Sequence, residues 1–280
     1  MQLYQVDGHE PSFLPEGKVW RYVWGDEFDG DTLDMSKWSF RLNFWGRRFP
    51  AYTDKGVELD GESHLKINLI EKDGQYCSAQ LQTGANSFDA PPPVYRTEVN
   101  ACGDNYFWPL GEVEKPKFMH RYGYYEVRCK LQQQPGWWSA FWLQSPSIGT
   151  SYDPAYSGIE VDIMENFTRN GEVTSGNIYG GYGAQLTQEA RVRYYVKDTP
   201  DGFHRFGLDW SEEGYIFYCD GVETARTNEP VSQVEQFILL TTECKGYRNG
   251  NMDQPSDELR GAVLPDCFTV DYVRVFDEVK

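Results

Sequence analysis

A chain of 280 residues is long enough for one large β domain or two small ones, and it can bury a core that requires neither disulfides nor metal. Its 43 acidic side chains outnumber 26 basic ones for a net charge of −17, which excludes nucleic acid as a natural partner because phosphate contacts call for a basic surface. No apolar run reaches the roughly 18 residues that a membrane-crossing helix needs.

The first twenty residues, MQLYQVDGHEPSFLPEGKVW, carry neither a basic stretch nor an apolar one of the kind that addresses a chain for export. As written, the chain is expected in the cytoplasm, or outside the cell or in the periplasm if a leader has been removed. From there the recurrent signal is short runs of β-branched and aromatic residues broken by Gly, Pro, Asn and Asp about every ten residues. In chain order the runs predict strands at 64–70, 78–84, 122–132, 139–145, 158–167, 174–182, 190–196, 204–211, 215–223, 236–243 and 268–276. No sustained helical period interrupts them, so the expectation is an all-β, two-sheet antiparallel sandwich spanning 1–280 as a single domain, with 1–20 as an N-terminal extension. The stretches 85–116 and 244–266 are too long and polar for hairpin turns and read as loops that wall a site. The six cysteines show no metal-binding spacing, and Cys129 and Cys219 fall inside strand-like runs, so reduced thiols are expected.

Aromatic residues make up 16% of the chain, with 9 Trp and 19 Tyr, an excess for a polar protein that suits a groove stacking on sugar rings. The chemistry concentrates in Ile159–Phe167. Alternation places Ile159, Val161 and Ile163 on one strand face and Glu160 and Asp162 on the other. Glu165 is out of register and joins the two acids only if one extra residue is taken up as a bulge at Ile163 and Met164. Three carboxylates at strand spacing repel one another, so at least one holds its proton. Glycoside hydrolysis uses that tension, with one ionised carboxylate attacking the anomeric carbon and a protonated one donating to the departing oxygen. Close neighbours on one bulged strand favour the short separation of a retaining mechanism over the wider one that admits a water. The alternative is a solvated acidic edge or a three-carboxylate cation site.

The pattern E-x-D-x-x-E, here Glu160, Asp162 and Glu165 in IEVDIMENF, resembles the catalytic signature of glycoside hydrolase family 16 in its bulged form, found in laminarinases, agarases and carrageenases. The resemblance extends to VWGDEFDG with LDMSKW near the start, to HRYGYYEVRCKLQQQPGWWSAFWLQ before the acids, and to FTVDYVRVF at the end. It implies a jelly-roll sandwich of the concanavalin-A type with an open cleft on its concave face, endo-acting retaining cleavage of a β-linked polysaccharide and no catalytic cofactor. It also implies Glu160 as nucleophile, Asp162 as its helper and Glu165 as acid/base. A β-1,3-glucan is the leading expectation, with a β-galactan and a non-catalytic lectin as alternatives; a transglycosylase would use the same residues. A monomer is expected.

Sugar contacts are expected from Trp137, Trp138 and Trp142 after Gly136, and from Asn177 and Tyr179 on the following strand, where family members often carry a His. Trp45 and Arg47 in an early loop, Trp108 in the long loop and Glu243 at the end of FILLTTE are further candidates. The resemblance also implies a structural calcium ion, away from the acids, held near Glu27 and Asp271.

Overall fold

The computed structural model describes residues 1–44, 46–86, 89, 114–148, 153–167, 170–180, 186–248 and 254–280. Among them, two antiparallel sheets face each other. One runs Ile70–Lys72, Gln75–Gln82, Phe237–Cys244, Trp137–Gln144, Glu160–Asn166, Glu172–Tyr179 and Thr187–Tyr195. The other runs Val222–Thr227, Gly214–Cys219, His204–Ser211, Gly123–Lys130, Cys267–Glu278, Leu65–Asn68 and Val57–Leu59, with Trp20–Asp26 also paired to Cys267–Glu278. Alternation drives the layering: Tyr125, Val127 and Cys129 from one sheet and Phe141, Leu143, Val161 and Leu240 from the other close on one buried cluster. The five described cysteines, Cys77, Cys129, Cys219, Cys244 and Cys267, are free thiols. No described helix is long and apolar enough to cross a membrane.

The run 215–223, expected as one strand, is a hairpin. Asp220 and Gly221 at its centre have φ of 48° and 78°, the pair of left-handed conformations that a tight two-residue turn requires and that Asp-Gly supplies cheaply. The first twenty residues pack onto the sandwich. Gln2–Tyr4 and Ser12–Leu14 form a small hairpin sheet against the outer face of the second sheet. There the Phe13 backbone N–H donates to the Glu126 carboxylate at 3.0 Å, and the buried Arg274 donates to Ser12 Oγ and the Glu10 carbonyl. The 244–266 stretch is not only loop: Asp257–Arg260 is a short helix capped by Ser256, and Leu259 and Tyr247 pack in a second core with Trp137.

Candidate active site

The strand Glu160–Asn166 carries the register slip that the spacing of its acids demands. Against Trp137–Gln144, Trp142 pairs with Asp162 while the next residue back, Phe141, pairs with Met164. On the other side Asp162 pairs with Gly176 and Glu165 with Thr174. The extra residue sends the successive Ile163 and Met164 both into the core, and Glu165 thereby turns to the same face as Glu160 and Asp162. All three line one cleft on the side of the sheet facing away from the core.

The electrostatics separate the acids. Burial raises the Asp162 carboxyl well above its ordinary range, and the charges of Glu165 and Glu160 add to the effect. Burial also pushes Glu165 up to about 7, with Arg191 opposing and Glu160 adding to the rise. Glu160 accepts a hydrogen bond from Gln144 Nε2 at 3.0 Å, a contact that favours its charged form. Up to about 7, Glu165 can therefore hold a proton to give, beside a Glu160 carboxyl that accepts from Gln144.

Aromatic and cationic groups surround the acids. Trp138 lines the cleft and stacks on Phe167 with ring centroids 5.3 Å apart. Trp142, two positions on, also faces the cleft and donates its indole N–H to Thr241 Oγ1 at 2.9 Å. Glu243 pairs across the strands with Trp138 and is held by Arg248 at 3.2 Å. Phe44 and Arg41 come from the early segment, Arg41 being ion-paired to Asp89. Arg191 reaches over from Thr187–Tyr195 to within 3.6 Å of Glu165.

Several expected sugar contacts do not reach this cleft. Trp137 is fully buried in the second core, its indole N–H donating to Asp266, because alternation turns it opposite to Trp138. Asn177 pairs with the core residue Val161 and is itself buried, and Tyr179 packs against the same core; the cleft-facing residue on that strand is Ile178, opposite Glu160. Arg47 sits exposed on a two-residue strand and does not line the cleft, which takes Phe44 from the partner strand instead. Trp45 and Trp108 lie outside the described residues. Gln144 and Thr241 were legible by extending the alternation from Trp142 and back from Glu243. For Arg41, Arg191 and Arg248 no local pattern pointed to the cleft.

The calcium expectation is corrected as well. Glu27 receives two hydrogen bonds from Arg274, at 2.9 and 2.7 Å, and Asp271 is ion-paired to Arg128. Each carboxylate already has an arginine partner that takes up its charge, so the donor set does not fit a calcium ion there.

The family model for "Glycosyl hydrolases family 16" matches residues 105–242. A glucan endo-1,3-β-glucosidase A1 from Niallia circulans is 28% identical over 276 residues, covering 91% of this chain and 38% of its own length. An endo-1,3-1,4-β-glycanase, EglC, from Rhizobium meliloti is 25% identical, covering 97% of this chain and 55% of its own. The chain thus spans about two fifths to about half of these relatives. The laminarinase catalytic domain from Thermotoga petrophila superposes with a TM-score of 0.66 at 22% identity, covering 94% of this chain and all of that one, which shows a shared fold.

Proposed function

We propose that this chain, whose residues 105–242 match the family model, acts as a member of glycosyl hydrolases family 16: a retaining, endo-acting hydrolase of a β-linked polysaccharide, with a β-1,3-glucan as substrate. The observation that carries the reading is the bulge at Ile163 and Met164, which brings Glu160, Asp162 and Glu165 to one cleft beside Trp138 and Trp142. In the first step Glu165 gives its proton to the glycosidic oxygen as that bond to the anomeric carbon breaks, while Glu160 forms its own bond to the carbon. In the second step Glu165, now a carboxylate, takes a proton from water as the water oxygen displaces Glu160. Asp162, whose proton affinity is raised first by burial and then by the charges of Glu165 and Glu160, can share that proton with Glu160 and steady the charge that appears and disappears there. No catalytic cofactor is needed, since two carboxyl groups do the acid, base and nucleophile work.

The Niallia circulans relative, named a glucan endo-1,3-β-glucosidase, supports this substrate, and EglC, named an endo-1,3-1,4-β-glycanase, is compatible with it. The test is to incubate wild type and Glu160→Ala with laminarin, mixed-linkage β-glucan, agarose, porphyran and mucin O-glycans and to separate the products by chromatography. Laminarin oligosaccharides that vanish in the variant are the expected result. Products from a galactan alone move the substrate to the β-galactan class, and binding without products from any polymer points to a lectin.

A further inference from the structure

Gln144 ends the strand Trp137–Gln144 on the cleft face, beside Glu160 and two residues beyond Trp142. Its side chain is engaged at both ends. The Gln144 Nε2 group donates to Glu160 Oε2 at 3.0 Å, and Gln144 Oε1 accepts a hydrogen bond from Asn86 Nδ2. Both amides are buried, 1% and 0% exposed, so water does not average their orientation. Asn86 comes from the segment just after Gln75–Gln82, which also delivers Asp89 to Arg41.

A primary amide has one donating and one accepting end, and an ionised carboxylate only accepts. Glu160 therefore sets the direction of the whole chain. Turning Gln144 over would face its carbonyl oxygen to the carboxylate and its NH₂ to that of Asn86, two repulsions in a buried place. We propose that Asn86 and Gln144 form a positioning relay for Glu160, holding one carboxylate oxygen so that the other is aimed at the anomeric carbon. The proposal rests on the reading of Glu160 as the nucleophile.

The relay acts on both steps. In the free enzyme it stabilises the charge on Glu160. In the glycosyl-enzyme, Oε1 is bonded to carbon and Oε2 becomes a carbonyl oxygen, a weaker acceptor. When water attacks and the carbon–Oε1 bond breaks, the returning negative charge strengthens the Gln144 contact, so the amide assists the departure of Glu160. Gln144 never touches the sugar's reacting carbon in this scheme and acts through Glu160 alone. Among the described residues, the charged groups that line the cleft with Glu160 are Asp162 and Glu165 on its own strand, Glu243 and Arg248 beyond Trp138, Arg191 from Thr187–Tyr195 and Arg41 from the early segment. All of them stay in place when only the amides are changed.

Three variants test this: Q144M, which keeps length but cannot donate; Q144E, which donates only when protonated; and N86D, whose carboxylate draws Gln144 Nε2 to itself and turns the amide over. The first readout needs no substrate and is the ¹³C titration of the Glu160 side-chain carboxyl, assigned with Glu160→Gln. The second is the pH profile of laminarin hydrolysis. In Q144M and N86D the Glu160 carboxyl should titrate about one pH unit higher than in wild type, as loss of one charge-assisted hydrogen bond requires. The acid limb of kcat/KM should move with it, and kcat should fall about tenfold with KM little changed. Q144E should recover activity only toward low pH, and it carries the test if Q144M does not fold. An unchanged Glu160 titration and acid limb in folded variants overturn the relay. A shifted titration in a protein whose wild type cuts no polymer leaves the relay standing and removes the proposed function.

Discussion

Arg191 brings its guanidinium to 3.6 Å from the Glu165 carboxylate, from a strand position whose Cα and Cβ lie close against Gly176. The pairing between Glu172–Tyr179 and Thr187–Tyr195 slips between Ser175 and Asn177, and a Cβ on Gly176 would come within 3.0 Å of the Arg191 Cα. The slip and the glycine together give Arg191 its route to the acid. Its charge works against the burial that raises Glu165 to about 7.

Removing that charge in Arg191→Met should raise the proton affinity of Glu165 further. A general acid works while protonated, so the alkaline limb of kcat/KM on laminarin should move up, by about one pH unit or less given the partial exposure of the pair. Arg191→Lys should lie between. An alkaline limb that stays in place in Arg191→Met removes Arg191 from the control of Glu165.

The adjacent tryptophans Trp137 and Trp138 should fail in opposite ways. Trp137→Ala opens a cavity in the second core and strands Asp266, and should cost about 3–5 kcal/mol of stability by denaturant unfolding. Trp138→Ala should leave stability nearly unchanged and raise KM for laminarin about tenfold or more, as loss of a stacking surface for sugar does. Equal losses of stability in the two variants would contradict the opposite facing of these side chains.

Glu126 makes stability depend on pH. It is fully buried beneath the N-terminal hairpin, accepting from Tyr272 Oη–H at 2.8 Å and from the Phe13 N–H, and burial lifts its carboxyl to about 7 in the folded protein from 4.5. The folded state therefore binds the proton more tightly than the unfolded chain. Below 4.5 both states hold it and nothing is lost; as pH rises from 4.5 through about 7 the unfolded chain ionises first and stability falls, by about 3 kcal/mol in all. Glu126→Gln should remove that part of the fall, so that its Tm exceeds wild type at pH 8 by more than at pH 5. Parallel Tm–pH curves for the two proteins would exclude Glu126 as a source. Asp162 and Glu165 act in the same direction and remain in the variant.

The arginines at Glu27 and Asp271 predict indifference to calcium. Chelator or added calcium should leave Tm unchanged. Arg274→Met, which strips Glu27 of its two hydrogen bonds and leaves a carboxylate beneath the hairpin without its cation, should cost about 3–5 kcal/mol. A Tm that rises with calcium in wild type would show the ion held by other groups.

What the sequence alone determined rests on period two. Apolar residues at alternate positions in Ile159–Ile163 and in Gly123–Lys130 fix which face turns to the core between the sheets, wherever the partner strands lie, and so the all-β layering follows. The spacing of Glu160, Asp162 and Glu165 likewise demands a bulge, because a strand offers no other way to bring positions of unlike parity to one face. The tertiary structure decided what local period cannot reach. The register against Glu160–Asn166 put Ile178, not Asn177, beside Glu160, since a shift of one residue exchanges the faces. Arg41, Arg191 and Arg248 reach the acids' cleft, and Asn86 reaches Gln144, only because segments remote in sequence fold over one sheet, and their ion pairs and hydrogen bonds are set by that convergence. The same holds for Arg274 and Arg128, which supply the charge at Glu27 and Asp271 that a metal ion would otherwise have brought.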